Sequence, residues 1–513
     1  MNTTANSTLP GDASRPSQTK SFSTIFLIEM WERFGYYGMA ALLVLFMVQK
    51  LGYTDERANL TWGAFTALVY AAPAIGGWIG DKVLGARRSM TIGATILALG
   101  YLLLSVPSDN VTLLYGALGV IVVGNGLFKS NAANLVRRIY EGDDAKIDSA
   151  FTLYYMAVNI GSTFSMLATP IVAAKWGWHA AFAVCCGGMV LGLLNYLLMR
   201  RTLDHVGSVP DDAPVNWGKL AMVLGIGVLL VFAVSFVLQH GSIARALVYL
   251  AGAVILAIFG YLIAKSGPGE RSGLVVALVL TIETILFFIF YQQMSTSLTL
   301  FALRNVDWNQ TLFGIHLFTW IPAQYQALNP IWIFALSPLL AWGYTRMASR
   351  GRDLPIAAKF AVGFLIVALG FFIYGAAGHF ADSTGRVSSW LMVWGYAGIS
   401  LGELLVSGLG LAMVARYVPA SMGGFMMGAY FVASGISQYL GGLVANYASV
   451  PDNITDPLQT LPIYPGLFNR LGLVACGGVV LAIALLPLLK KLSAMHREHA
   501  LAAETLDTVI AER

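Results

Sequence analysis

Charge is what this chain has least of. Lys, Arg, Asp and Glu make up 11% of its 513 residues, against roughly 25% in a soluble domain. That is too little to coat the three ordinary domains that such a length suggests. Cysteine is nearly absent, with 3 in all. Cys185 and Cys186 are neighbours in one apolar run and Cys476 lies in another. Neither a disulfide framework nor a Cys/His metal site is expected, and all three read as packing residues. The 54 glycines have no three-residue period, which excludes a collagen-like chain. His-Glu-x-x-His, phosphate-cradling and nucleophile motifs are missing, as is a pore filter. The expectation is therefore a protein that is not an enzyme or ATP-driven pump and has no cofactor and no metal. Met1 to Lys20 is polar and lacks the apolar core of a signal peptide. Residues 1–20 read as a disordered tail.

Hydrophobic residues, by contrast, make up 57%. They gather in unbroken runs at about 24–50, 59–80, 87–106, 112–136, 148–174, 178–200, 218–238, 244–265, 272–301, 322–349, 354–377, 387–415, 421–447 and 464–490. Runs of about 20 residues cross a bilayer as helices. A membrane β-barrel would show alternating segments of about 10 residues instead. The expected fold is all-α and integral to the membrane, with 14 spans. An even number puts both termini on one side. With that side cytoplasmic, the inner segments hold about 22 Lys and Arg and the outer ones about 7, which the positive-inside rule requires. The net charge of +5 thus reports topology and not nucleic-acid binding.

The spans group as six, two and six. Leu203 to Lys219, with Pro210, Asp211, Asp212 and Pro214, reads as a linker. The next two spans are apolar all round and suit a lipid-facing hairpin. The expected division is a six-helix bundle over 21–202, linker and hairpin over 203–270, a second bundle over 271–490 and a cytoplasmic tail over 491–513. Leaving out the inserted pair, the runs define core helices one to twelve. Gly76-Gly77-Trp78-Ile79-Gly80-Asp81-Lys82, with Gly85, Arg87 and Arg88, resembles the loop between helices two and three of the major facilitator superfamily. Its glycines allow close packing, and its Asp forms a latch with a basic residue.

Ionisable residues inside apolar runs carry the functional information. Each costs roughly 2.5–3.5 kcal/mol at mid-membrane and needs a partner or a wet cavity. Helix one holds Glu29, Glu32 and Arg33, followed by Tyr36 and Tyr37. Spacings of three and four put Glu29, Glu32, Arg33 and Tyr36 on one broad face. Helix four holds Lys129, helix seven Glu283 and then Gln292 and Gln293, and helix ten Glu403. Charges in both halves point to a polar central cavity, although a fixed ion-pair knot of Glu29, Glu32 and Arg33 is the simpler structural alternative.

Glu29-Met30-Trp31-Glu32-Arg33-Phe34-Gly35-Tyr36-Tyr37-Gly38 resembles, at every fixed position, the ExxERFxYYG signature of proton-dependent oligopeptide transporters within the major facilitator superfamily. Phe151 to Ser162, Gln326-Ala327-Leu328-Asn329-Pro330 and Gly402-Glu403-Leu404 resemble the family's motifs on helices five, eight and ten. An inserted helix pair is also found in bacterial members. The resemblance implies a major facilitator fold of 6+2+6 helices and a symporter that imports di- and tripeptides with protons. It implies that Arg33 and Lys129 hold the peptide carboxylate and Glu403 the amine. It makes Tyr36, Tyr70, Tyr154, Asn159, Asn329, Ser407 and Tyr430 pocket residues. It makes Glu29 and Glu32, with Lys129, the proton-coupling groups; Glu283, two to three turns before Gln292 on helix seven, is a substitute acid suggested by its position alone.

Two departures bear on the outer gate. Gln292 stands where many members have an acid, and Ala40 lies where the same members often have an Arg. Closure through neutral hydrogen bonds is expected there. Tyr430 replaces a common Trp. The alternative function is a related carrier of a small anion or an amino-acid derivative, but cations and Glu403 together favour a zwitterion. The expected partners are peptide, protons and lipid. The expected unit is a monomer in a bacterial cytoplasmic (inner) membrane, with both termini cytoplasmic.

Overall fold

The computed structural model describes residues 16–351, 356–406, 417–418 and 423–511. Helix one spans Gln18–Gln49, two Asp55–Ile79, three Ala86–Ser105, four Val111–Ile139, five Asp144–Trp176 and six Trp178–Met199. The inserted pair spans Trp217–Gln239 and Gly241–Lys265. Helix seven spans Pro268–Tyr291, eight Leu328–Ala348, nine Ile356–Gly375, ten Trp390–Val406, eleven Gly423–Ala445 and twelve Ile463–Ala511. A helix thus occupies each apolar run. Ten helices among the described residues are long and apolar enough to cross a membrane. Helices one, eight, ten and eleven fall outside that set.

Three details differ from the sequence reading. Gln18 to Lys20, expected in the tail, already belong to helix one, which Ser17 caps. Ser21 anchors that end by donating to the Thr202 carbonyl at 2.6 Å. The run taken as one span over 272–301 breaks into a tight turn at Gln292–Ser295, followed by a helix over Ser297–Asn305. The fold is also not purely helical. Asn309–Leu312 and Ile315–Thr319 form an antiparallel hairpin, and Val306–Asp307 pairs in parallel with Val387–Ser388. The hairpin turns at Phe313 and Gly314, both with positive φ.

Helices three and four, one and five, and one and six make the main contacts of the first half. Nine packs on ten and twelve in the second half, and two against eleven joins the halves. In the loop motif expected to allow close packing, a side chain at Gly76 would collide with the Gly126 carbonyl; outside it, one at Gly161 would collide with the Met30 carbonyl. The second contact brings helix five, with Tyr154, against helix one. The Asp81 latch closes on helix four, with Arg138 at 3.3 Å and the Asn134 amide at 2.8 Å. Arg87 and Arg88 bind the linker instead (see below). The inserted pair lies against helices four and eleven and buries few of its residues, as a lipid-facing hairpin does.

Candidate functional site

Helix one presents four of the expected site residues to the centre of the first half. Arg33 grips Glu32 with both arms of its guanidinium, Nε to Oε2 at 2.5 Å and Nη2 to Oε1 at 2.7 Å. Its Nη2 also donates to Asn125 Oδ1 at 3.3 Å. Asn125 is fixed in turn by donating to the Val69 carbonyl at 3.0 Å. Glu29, one turn earlier, accepts from Lys129 Nζ at 2.5 Å and from the Tyr154 hydroxyl at 2.6 Å. Its carboxylate lies 3.6 Å from Arg33 Nε. The Arg33 guanidinium also sits over the Tyr36 ring at 5.0 Å, a cation–π contact. Two carboxylates and two cations, drawn from helices one and four, make a cluster with no net charge. Both glutamates are fully buried, yet the Lys129 side chain is 31% exposed. Solvent therefore reaches the cluster at Lys129.

Glu403 is the acid of the second half. It is buried, and its Oε2 accepts from Asn329 Nδ2 at 2.7 Å. The Asn329 amide also reaches Ser400 Oγ at 3.1 Å. The Tyr155 side chain, from the first half, also approaches Glu403. Tyr37, Tyr70 and Tyr291 lie close enough to feel its charge. Tyr36, Tyr37, Ala40, Tyr70, Gln292 and Asn329 are among the walls of a void of about 40 Å³ between the halves. A water molecule takes about 30 Å³ of liquid volume, so this void holds a water and not a peptide. It is the closed end of the site.

The structure thus brings together Glu29, Glu32, Arg33, Lys129 and Tyr154, and separately Tyr36, Tyr70, Ala40, Gln292 and Asn329, with Glu403 bound to Asn329. Three expected residues stand apart. Asn159 donates to the Tyr155 carbonyl of its own helix. Tyr430 is buried and stacks edge-on to Phe431. Glu283 is buried, and neither of its oxygens has a hydrogen bond among the described residues. Ser407 lies outside the described residues. The sequence reading missed Tyr155, Asn125 and Tyr291 as site residues. Tyr155 and Tyr291 adjoin residues that it did name, and an asparagine one turn before Lys129 was the signal for Asn125.

Side-chain ties join the halves at the end that carries the turn between helices one and two. Arg304 holds Asp55 through both guanidinium arms, at 2.6 and 2.8 Å, and donates to the Tyr464 hydroxyl at 2.7 Å. Asp55 also accepts from the Val450 amide at 3.0 Å. Asn59 meets Asn446 at 3.1 Å, Gln326 reaches the Ala41 carbonyl at 3.3 Å, and Gln324 the Leu167 carbonyl at 2.8 Å. Gln292 donates to Thr66 Oγ1 at 3.2 Å. A neutral bond therefore stands at Gln292, as expected, but the closure as a whole is not neutral. Its ion pair is built from Asp55 and Arg304.

The Gln292 bond yields a prediction. Thr66 already donates its hydroxyl hydrogen to the Trp62 carbonyl at 2.8 Å, so it offers position 292 only an acceptor. Gln292→Glu would face that acceptor with a carboxylate and no cation. Uptake is expected to fall about tenfold or more, since a lone buried charge costs several kcal/mol. The uncharged Gln292→Met should lose less. Ala40→Arg, added to Gln292→Glu, should recover only part, because a guanidinium exceeds the void beside Ala40. Transport assays on the three variants decide it. Equal losses for Glu and Met at position 292 would remove the role of charge.

Two halves of membrane helices, joined at one end and with a buried, charge-balanced cluster inside the first, define a secondary transporter of the major facilitator type. The comparisons place it further. The model of the POT family matches residues 87–462, and the chain belongs to that family. It is 42% identical to a dipeptide and tripeptide permease B of Edwardsiella piscicida over 488 residues, covering 95% of this chain and 98% of that one. The permease B of Salmonella typhimurium is 42% identical over 496 residues, 96% of this chain and 98% of that one. A crystal structure of tetrameric PepTSo2 is 60% identical, with a TM-score of 0.86, over 93% of this chain and 100% of that one. A peptide transporter POT in complex with sulfate is 28% identical, with a TM-score of 0.79, over 94% and 96%.

Proposed function

We propose that this chain is a proton-coupled symporter that imports di- and tripeptides by alternating access. The observation that carries the reading is the pairing of a neutral Glu29–Glu32–Arg33–Lys129 cluster in one half with Glu403, held by Asn329, in the other. A short peptide is a zwitterion. Its carboxylate can be held by Arg33 and Lys129 and its amine by Glu403, with Tyr36, Tyr70, Tyr154 and Tyr155 as walls that accept varied side chains. Asn159, Ser407 and Tyr430 complete the wall in this proposal. Because the cations are fully occupied by Glu29 and Glu32, a peptide carboxylate gains one only when a glutamate takes up a proton. Nearby cations favour the charged form of a carboxylate, and loss of a partner during rocking favours the neutral one. Proton and peptide are thereby linked. Glu283, buried without a partner among the described residues, is a further protonation site. The names of the permease and PepT relatives agree with this substrate.

The bundles over 21–202 and 271–490 rock about the site, with 203–270 as the inserted element. All fourteen helices span a bacterial inner membrane, with both termini cytoplasmic. The end closed by Asp55 and Arg304 is then the outer one, and the structure is inward-facing. Each chain holds a whole site, so the transporting unit is a monomer even where relatives form tetramers.

The test is uptake of labelled dialanine into proteoliposomes with and without an inward proton gradient. Di- and tripeptides should compete, while amino acids and nitrate should not. Competition by nitrate or single amino acids alone would establish the alternative carrier. In the same assay Glu403→Ala should cripple uptake of peptides with a free amine, by about tenfold or more for a lost buried charge pair. N-acetylated peptides should suffer less. Equal loss for both would give Glu403 a structural or proton role instead.

A further inference from the structure

A groove of about 910 Å³ lies far from the transport site. It is formed by the start of helix three, the end of helix six, the linker and the start of the first inserted helix. Six cations line it, Lys82, Arg87, Arg88, Arg200, Arg201 and Lys219, against two carboxylates, Asp204 and Asp211. Two of the cations are occupied in holding the linker. Arg87 lies 3.9 Å from Asp211 and donates to the Leu203 carbonyl at 2.9 Å. Arg88 donates to the Pro210 carbonyl at 2.9 Å and the Ala213 carbonyl at 2.5 Å. Asp211 is occupied as well. It is buried and accepts from the backbone amides of Ser208 and Arg87, at 3.0 and 3.2 Å.

Four exposed cations remain. The side chains of Lys82, Arg200, Arg201 and Lys219 make no hydrogen bond or ion pair among the described residues. Two exposed carboxylates, Asp204 and Asp212, oppose them, and both stand beside Arg87, at 3.8 and 4.0 Å. Such an excess of charge needs an anion, and the surroundings say which kind. Trp217, at the edge of the groove, is 75% exposed, the position of an interfacial anchor between bilayer and water. Below the groove, helix three exposes Thr95, Leu99 and Leu102, which spacings of four and three align on one face. Helix six exposes Leu194 and Leu197 beside them. A soluble anion has no use for that apolar stripe, whereas acyl chains do.

We infer that this groove binds the headgroup of an anionic phospholipid, with Arg200, Arg201 and Lys219 on the phosphate oxygens and the acyl chains along the helix three stripe. Clusters of basic residues at the cytoplasmic end of membrane helices recognise such headgroups. The bound lipid ties the first bundle to the inserted pair, because its ligands come from the turn that follows helix six and from the first inserted helix. The site is independent of what the central cavity carries.

The full-length protein, purified in detergent, is offered equimolar phosphatidylglycerol, cardiolipin and phosphatidylcholine, and retained lipid is counted by native mass spectrometry. The two anionic lipids should be retained at least about tenfold over phosphatidylcholine, as expected for several headgroup cations acting together. Arg200→Gln, Arg201→Gln and Lys219→Gln combined should abolish that preference. Arg137→Gln with Lys146→Gln, in a different basic loop, should leave it intact. Equal retention of all three lipids by the unaltered protein would overturn the proposal without any variant. So would an undiminished preference in the triple variant. Millimolar inorganic phosphate that displaces the retained lipid fully would assign the groove to a free anion, and would overturn the lipid.

Discussion

Glu29→Gln is expected to abolish gradient-driven peptide uptake while counterflow exchange of peptide persists. The amide keeps the shape of the side chain and can still accept from Tyr154 or Lys129, both of which now bond the Glu29 carboxylate. It cannot carry the negative charge. The cluster of Glu29, Glu32, Arg33 and Lys129 then holds one net positive charge in every state, the condition otherwise reached by taking up a proton. Peptide can bind and exchange, but no proton need accompany it. Breaking a buried ion pair costs ~3–5 kcal/mol, and each 1.4 kcal/mol is a factor of ten. A loss of driven uptake of about a hundredfold is the expected scale. Glu32→Gln should behave differently. Glu32 is buried against both arms of Arg33, so its loss frees the guanidinium that positions the carboxylate end of the peptide. Counterflow should fall with driven uptake in that variant. If Glu29→Gln also loses both in parallel, Glu29 is a structural partner of Lys129 and not the coupling group.

How far the sequence reaches can be judged at these residues. Glu29, Glu32 and Arg33 were legible because they are local. Spacings of three and four on one helix force a shared face whatever the rest of the chain does, and apolar flanks exclude a solvated surface. That Lys129 chooses Glu29 over Glu32 was not legible, because it depends on how helix four is rotated against helix one. The close packing of Gly161 on Met30 that brings Tyr154 to Glu29 is likewise a tertiary fact. The break at Gln292–Ser295 had no breaker to announce it, since neither Pro nor Gly occurs in Tyr291-Gln292-Gln293-Met294. It is held by tertiary bonds instead, with Gln293 donating to the Gly441 carbonyl at 3.0 Å. The hairpin over 309–319 has strands of four and five residues, too short to show a period.

The outer ion pair was the largest omission. No motif marks Asp55, which sits in the first turn of helix two. Arg304 lies just beyond the apolar run. Nothing local connects residues 249 positions apart. The residue types gave no hint either, because an acid at a helix start is favourable in its own right. Only the approach of the two halves makes them partners.

That pair supports the second large prediction. Asp55 is buried, and its carboxylate takes three hydrogen bonds, two from Arg304 and one from the Val450 amide. Arg304→Gln would leave this carboxylate buried with a neutral neighbour, so closing the outer end becomes costly and the outward-open form gains population. Asp55→Asn with Arg304→Gln removes both charges together, and a neutral pair is tolerated far better than half of an ionic one. The single variant should therefore be more disturbed than the double. The coupling should be about 1.5–3 kcal/mol, the upper range for residues in direct contact. Spin labels placed through Glu56→Cys and Tyr447→Cys, at exposed outer positions, read the opening directly once the three native cysteines are replaced. A single short distance is expected with the pair intact, a large population at longer distance in Arg304→Gln, and a return toward the short distance in the double variant. Peptide uptake should follow the same order, because a transporter that cannot close its outer end cannot release inward. Strictly additive changes would mean that Asp55 and Arg304 do not act as a pair, and that the outer end is held by Asn59, Gln292, Gln324 and Gln326 alone.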